Sequence, residues 1–112
     1  VVGHIALHRA TGDPLTPLAR EASGLDEEGL GVIARVFVTA AARRTGIAVA
    51  LLEVAVAEAH RRGLRPALDV GVDLAPAIAL YERLGWQRIG LVHFDLGEAV
   101  FDGWVYLGPS PP

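Results

Sequence analysis

The stretch VIARVFVTAAARRTGIAVALLEVAVAEAHRRG, residues 32–63, has the clearest secondary-structure pattern in this 112-residue chain. Its first part, Val32 to Thr39, is rich in β-branched residues and predicts a strand. After a turn of small residues, apolar residues on more than one face predict a largely buried helix from Gly46 to about Arg62. The basic last turn suits the negative end of the helix dipole, and Gly63 is a suitable terminator.

The segments on either side of this stretch complete a mixed sheet. Further strands are predicted over Val1–Leu7, Pro66–Val72, Trp86–Phe94 and Ala99–Leu107, and a second helix over Asp73–Leu84. A strand-helix-strand unit of this length implies a right-handed crossover, so the strands at Val32 and Pro66 should pair in parallel. The last two strands should form an antiparallel hairpin. The predicted fold class is therefore α/β, more narrowly α+β, with a mixed central sheet and a βαβαββ core.

Two segments lie outside this pattern. Residues 8–30 are dominated by turn-formers and charges and predict a long connection, with at most one helical turn near Leu15 to Glu21. Such long loops are uncommon in compact domains, so the segment is either functional or disordered, and disorder or simple variability is favoured. Residues 108–112 predict a loose tail. The length suits one domain over residues 1–112.

Composition and charge exclude several classes of function. A net charge of -3 and a pI near 5.7 argue against nucleic acid as a partner, because phosphate binding depends on Lys and Arg. No apolar stretch is long enough for a membrane span, and the lack of Cys is compatible with a cytoplasmic location. The four His are scattered without metal-ligand spacing, so no metal is predicted.

One segment between the central strand and the helix has the features of an anion site. Residues Arg43, Arg44, Thr45, Gly46, Ile47 and Ala48 place two positive charges and a glycine at a helix start, where unpaired N–H groups point at one place. There is no Gly-Lys-Ser/Thr and no Gly-x-Gly-x-x-Gly, which excludes the two best-known phosphate loops. Taken alone, the segment is also compatible with an ordinary turn before a helix.

A second block of sequence, read together with the first, resembles a known family. The run Arg43–Ala48 is similar to the Arg/Gln-x-x-Gly-x-Gly/Ala signature of the GCN5-related N-acetyltransferases, and Ala77–Trp86 is similar to their Ala-Ile-x-Leu-Tyr-x-x-x-Gly-Phe signature. Both blocks occur at the spacing of that family. The resemblance covers about Val1 to Leu107, with residues 8–30 unmatched.

The resemblance implies a cosubstrate, acetyl-CoA, and a set of site residues. It implies that the backbone of Val36, Phe37 and Val38 pairs with the pantetheine arm, and that the loop with Arg43 and the residues up to Val49 hold the pyrophosphate. It implies that Tyr81 protonates the departing thiolate. Asp69 stands where some relatives carry a catalytic base, although it could equally face solvent or cap a backbone group. Leu74 stands where many relatives have an Asn that touches the coenzyme.

The function that follows is transfer of an acetyl group from acetyl-CoA to a primary amine. A noncatalytic acyl-CoA-binding module or regulatory partner is the alternative, and a purely structural oligomerisation domain is a third. The amino-terminal elements that usually build the acceptor site of the family have no counterpart before Val1. Together with 52% hydrophobic residues and a mean hydropathy of +0.38, this predicts a homodimer, with either the Val1–Leu7 edge or the Ala99–Leu107 hairpin at the contact.

Overall fold

The computed structural model describes residues 3–10, 12–38, 46–95, 97 and 100–112. These residues form the strands and helices β1 Gly3–Arg9, α1 Thr16–Ser23, β2 Leu30–Val38, α2 Ile47–Arg61, β3 Arg65–Gly71, α3 Ala75–Arg83, β4 Gln87–Asp95 and β5 Val100–Leu107. The sheet has the order β1-β2-β3-β5-β4, with β2 and β3 parallel and the other neighbours antiparallel. The predicted mixed fold is confirmed, including its parallel pair and its terminal hairpin.

The sheet has a hydrophobic core on each face. On one face, α1 packs through the fully buried Leu15 and Ala19 against Ala67, Val105 and Leu107 of the sheet. We call this the α1 face. On the other face, α2 and α3 cover a second core that contains Leu52, Ala55, Leu68, Val70, Tyr81, Trp86 and Tyr106. We call this the α3 face, and the two faces turn out to carry different functional residues.

Helix α1 corrects the expectation for residues 8–30. The segment is not a continuous loop, because Thr16–Ser23 is helical and Glu27–Gly29 forms a 3₁₀ turn capped by the side chain of Asp26. The physical reason is a short amphipathic pattern, in which Leu15, Leu18 and Ala19 fall on one side of two helical turns and pack on the sheet. The prediction of a long disordered connection is therefore wrong where α1 and the 3₁₀ turn lie.

The carboxyl-terminal tail is also attached to the fold. The backbone N–H of Gly108 donates to the carbonyl of Pro66 at 2.8 Å, and the Nε of Arg65 donates to the carbonyl of Gly108 at 2.9 Å. A nitrogen of His60 lies 2.8 Å from the carbonyl oxygen of Pro109. The start of the tail is held against β3 and the end of α2, and so it is not loose, because its backbone polar groups find partners there.

The strand order decides which edges are free to meet another chain. Strand β5 lies between β3 and β4, so it pairs on both sides and cannot act as a contact edge. The edges of this sheet are β1 and β4. A simple edge contact through β5 would require β4 to be displaced, whereas exchange of the hairpin between protomers, the alternative dimer contact, stays a prediction. None of the described helices is both long and apolar enough to cross a membrane.

Candidate active site

The two parallel strands at the centre of the sheet diverge. Strands β2 and β3 pair only from Leu30 with Arg65 to Val32 with Ala67. Beyond that point β2 still pairs with β1 as far as Val38, and β3 still pairs with β5 as far as Gly71. Within the described residues, the two strands therefore leave a wedge-shaped opening between them, lined by backbone groups that have no strand partner on that side.

A β-bulge lies on β2 beside this opening. Between the pairs His4–Phe37 and Ala6–Ala34, β1 advances two residues while β2 advances three. The extra residue leaves a backbone group out of the ladder and bends the strand, which is a common arrangement next to active sites. Of the three residues that the sequence singles out, Val36 lies within the bulge and Phe37 and Val38 follow it, and their backbone borders the wedge.

Helix α2 begins shortly after the end of β2 in the chain. Gly46 is its N-cap residue, with φ of 80° and ψ of 10°, a left-handed conformation that glycine adopts without strain. No side chain caps the helix, and its first turn, which includes Ile47, Ala48 and Val49, carries no acidic residue. The unpaired N–H groups and the positive end of the dipole are therefore left for an anion. Arg43, Arg44 and Thr45 lie outside the described residues.

Tyr81 is held rigidly on the α3 face. Its side chain is 4% exposed, and its ring lies 5.9 Å from the ring of Trp86 and 5.7 Å from that of Tyr106, measured between centroids. Burial, followed by the negative charge of Asp69, raises the pKa of Tyr81 to about 12. The hydroxyl therefore stays protonated throughout the range in which proteins work, as a hydrogen-bond donor must.

Asp69 lies on the opposite face, at the margin of the wedge. It follows the last parallel pair of β3 by two residues and pairs with Val105 of β5, whose side chain belongs to the core of the α1 face. Burial, and then the nearby charge of Asp13, raises the pKa of this carboxyl. A carboxylate that holds its proton more readily than usual suits the role of a base towards an amine. The structure thus brings Asp69 and Tyr81 to two sides of one strand.

A polar cluster beside Tyr81 was not anticipated from the sequence. The hydroxyl of Tyr106 donates to Glu82 at 2.7 Å, and Arg88 donates to both this hydroxyl and Glu82 at 3.1 and 2.5 Å. The guanidinium carbon of Arg88 also lies 4.4 Å from the ring centroid of Trp104. Glu82 is the residue after Tyr81, so the cluster fastens α3 to β4 and β5. Its members lie up to 24 residues apart, and no local pattern reveals such a contact.

The start of α3 has no side-chain cap, because Leu74 occupies the capping position. Leu74 is the N-cap residue, it is 51% exposed, and its side chain makes no capping hydrogen bond. An Asn at this position could accept from the first-turn N–H groups, which Leu cannot do.

In the part of the chain that the structure describes, no three His, Asp or Glu side chains lie close enough together to hold a metal ion.

A comparison with known protein families finds one whose sequence pattern this chain matches. A sequence profile described as the acetyltransferase (GNAT) family matches residues 1–86, which contain β1 to α3 and therefore the wedge, the helix start and Tyr81. The chain belongs to this family. A search of curated proteins finds no match.

Solved structures of GNAT acetyltransferases and related proteins share the fold. Arabidopsis thaliana NAA60 in complex with acetyl-CoA is 24% identical, with a TM-score of 0.72 over 96% of this chain and 64% of its own. Ard1 from Thermoplasma volcanium is 16% identical, with a TM-score of 0.69, and the match covers 98% of this chain and 65% of Ard1. The ribosomal-protein-S18-alanine N-acetyltransferase from Escherichia coli is 19% identical, with a TM-score of 0.62, and the match covers 97% of this chain and 96% of that enzyme. The GNAT chain described here thus spans slightly less than two thirds of the first two proteins.

Proposed function

We propose that this chain binds acetyl-CoA and transfers the acetyl group directly to a primary amine. The observation that carries the proposal is the wedge between β2 and β3, which opens next to a bulge and has an uncapped helix start following it in the chain. The opening offers backbone hydrogen bonds to an amide-containing arm, and the helix start offers N–H groups to a phosphate. Family membership supports the assignment, as does the acetyl-CoA bound to the similar Arabidopsis protein.

The coenzyme is proposed to bind along the chain segment from the wedge to α2. The backbone of Val36, Phe37 and Val38 pairs with the pantetheine arm, much as an added strand would. The pyrophosphate binds the loop and helix start at Arg43, Arg44, Thr45, Gly46, Ile47, Ala48 and Val49, where the dipole and the two guanidinium groups favour negative charge.

The reaction needs a base on one side of the thioester and a donor on the other. The neutral amine nitrogen attacks the thioester carbonyl carbon, and its surplus proton passes to the Asp69 carboxylate, directly or through water. A backbone N–H of β2 meets the developing oxyanion. The carbon–sulfur bond then breaks, and the Tyr81 hydroxyl hydrogen-bonds to the leaving thiolate. Asp69 and Tyr81 lie on opposite faces of the sheet, which allows acceptor and coenzyme to approach from opposite sides.

The raised pKa of Tyr81 refines its role. A free thiol has a pKa of about 8.5, so complete transfer of a proton from a hydroxyl whose pKa is about 12 is unfavourable. The hydroxyl therefore acts chiefly as a hydrogen-bond donor that stabilises the thiolate as it leaves. The thiolate then takes its final proton from solvent.

Two measurements test the proposal. Calorimetric titration with acetyl-CoA should show binding, and a thiol-release assay with a panel of amines should then show turnover. Binding without thiol release for any amine would identify a noncatalytic acyl-CoA-binding module. Absence of binding by a folded chain would contradict the proposal and favour a purely structural domain.

We also propose that the chain forms a homodimer through the outer edge of β1. This strand is at the end of the sheet, so its outward backbone groups are available for pairing with a second β1. The exposed apolar side chain of Val54, on the helix α2 that packs against β1, adds surface that a partner could cover.

A further inference from the structure

The α1 face of the sheet carries an uncovered aromatic surface next to Asp69. Phe94 of β4 and Phe101 of β5 are directly opposite each other, and their rings stack with centroids 4.8 Å apart and planes inclined by 18°. Phe101 is 43% exposed, so α1 does not cover it. A stacked aromatic pair that stays open to solvent, on a face that is otherwise core, leaves an apolar surface available to a ligand.

The strand registers put this pair on the same face as Asp69. Asp69 pairs with Val105, and Gly103 pairs with Val92. The side chains of Val105 and Val92 both pack in the core of the α1 face. Residues two apart on β5 share a face, so Phe101, Gly103 and Val105 point the same way. The neighbour of Phe101, Val100, points to the other face and is 58% exposed.

Glycine at position 103 lets the aromatic pair and Asp69 lie close together. A Cβ on Gly103 would stand 3.2 Å from Cε2 of Phe94 and 3.6 Å from Cβ of Asp69. Both side chains therefore lie against Gly103, and any larger residue there would crowd the ring of Phe94. Because both side chains lie beside this one residue, only a few bonds can separate a nitrogen beside the carboxylate from an apolar group against the ring.

We propose that Asp69, Phe94, Phe101 and Gly103 form the acceptor surface, and that the acceptor is a primary amine with an aromatic or branched apolar group two or three bonds from its nitrogen. This inference rests on the proposed function and specifies its unknown substrate. Asp69 receives the ammonium or amine, and the stacked rings receive the apolar group. Asp13 adds a second negative charge near Asp69, so an acceptor with its own carboxylate next to the nitrogen is disfavoured.

Three amines separate the elements of this proposal. 2-Phenylethylamine has the amine and the ring, ethylamine lacks the ring, and phenylalanine adds a carboxylate beside the nitrogen. In thiol release with saturating acetyl-CoA, kcat/KM for 2-phenylethylamine should exceed that for each of the other two about tenfold or more, the range expected for one apolar group in a pocket. Equal values for 2-phenylethylamine and ethylamine would overturn the proposal while leaving the acetyltransferase function standing.

Substitutions test which side chains bind the aromatic group of the amine. Phe101→Ala should raise the KM for 2-phenylethylamine about tenfold and leave both its kcat and the kinetics of ethylamine nearly unchanged. Gly103→Ala should act in the same way, because the added Cβ crowds the ring of Phe94 and displaces it. Val100→Ala is the matched control, because it shortens the adjacent exposed side chain on the opposite face, and it should change neither substrate. A loss for both amines with Phe101→Ala would show a structural role and contradict the assignment.

A binding measurement decides the question even without turnover. In ¹H–¹⁵N NMR titrations of the acetyl-CoA-free chain, 2-phenylethylamine should shift the amide signals of Asp69, Phe101 and Gly103 at concentrations where ethylamine does not. If both amines shift these signals equally, or neither does, the acceptor surface is wrongly assigned. Calorimetry with acetyl-CoA reports separately on the coenzyme site, so failure of the proposed function is distinguished from failure of this inference.

Discussion

Asp69 and Tyr81 lie on opposite faces of the sheet, and the negative charge of Asp69 adds to burial in raising the pKa of Tyr81 to about 12. The charge of Asp69 therefore acts on Tyr81 across β3 and helps to keep the tyrosine protonated. Burial and the charge of Asp13 raise the pKa of Asp69 and make its carboxylate a stronger base than an exposed one. Both effects can be measured.

Asp69→Asn should lower turnover and raise stability. The amide cannot accept the amine proton, so kcat/KM should fall about a hundredfold, at the lower end of the range for general bases. Burial and the charge of Asp13 raise the folded-state pKa of Asp69, so its ionised form is less stable in the folded protein than in the unfolded chain. The resulting loss of stability is absent below the ordinary carboxyl pKa of about 3.9 and develops as pH rises through the raised pKa.

Thermal unfolding should therefore show a higher Tm for Asp69→Asn than for wild type at pH 7 and no difference near pH 3. Glu53→Gln, a change of an exposed carboxylate on α2, should show no such gain. A lower Tm for Asp69→Asn at pH 7 would mean that the carboxylate has a structural partner.

Tyr81→Phe should lower kcat about tenfold to a hundredfold and leave the affinity for acetyl-CoA nearly intact, because the hydroxyl acts on the leaving sulfur. With its pKa near 12, Tyr81 should produce no loss of kcat on the alkaline side below about pH 11 in the wild type. Steady-state kinetics over pH 6 to 10.5 and calorimetry check both statements. Unchanged kcat would reduce Tyr81 to a packing residue between Trp86 and Tyr106.

Gly46→Val should weaken acetyl-CoA binding at least tenfold, or about 1.4 kcal/mol, because it places a branched side chain at the helix start proposed for the pyrophosphate. The φ of 80° means that valine also strains the backbone. Gly63→Val is the control, since Gly63 follows the other end of α2 with φ of 73° and equally open surroundings. It should lower stability but not coenzyme affinity. If the two variants bound acetyl-CoA with equal affinity, the proposal that the pyrophosphate binds at this helix start would be wrong.

Leu74→Asn should stabilise the protein by about 0.5–2 kcal/mol, because Asn can accept a first-turn N–H of α3 that Leu74 leaves uncapped. If the coenzyme lies near this residue, as the family resemblance implies, acetyl-CoA should also bind more tightly. Denaturant unfolding and calorimetry measure the two effects. Leu74→Ala removes the exposed leucine without adding a cap, and an equal gain in stability from that variant would exclude the capping explanation.

The homodimer should appear as twice the monomer mass of 11.8 kDa in light scattering at micromolar concentration. Ala6→Pro, which lies within β1, should weaken the dimer if that edge is the contact, because proline interrupts strand pairing. A proline of similar position on the β4 edge, Leu91→Pro, is the comparison. A cooperative monomer in the wild type would contradict the association proposal.

Much of the fold could be predicted from local sequence. The β-branched run at Val32, the glycine at position 46 and the Pro76 and Gly85 boundaries of the second helix mark their elements through short-range preferences that do not depend on the rest of the chain. The right-handed crossover then requires β2 and β3 to be parallel. The sequence predicted only one helical turn near Leu15 to Glu21, where the structure has the two-turn helix α1, because the apolar pattern is short and burial by the sheet supplies the stability that the pattern lacks.

Motifs and periodicity are properties of neighbouring residues, so they were enough to find the family blocks, the parallel strand pair and the candidate residues Asp69, Tyr81 and Gly46. The folded chain was needed to see where β2 and β3 part, which sheet face each side chain occupies, and that Phe94 and Asp69 both lie against Gly103. A strand presents alternate residues to opposite faces, so its side-chain neighbours depend on register with strands far along the chain. That register is set by the packing of the whole sheet between α1 on one face and α2 and α3 on the other.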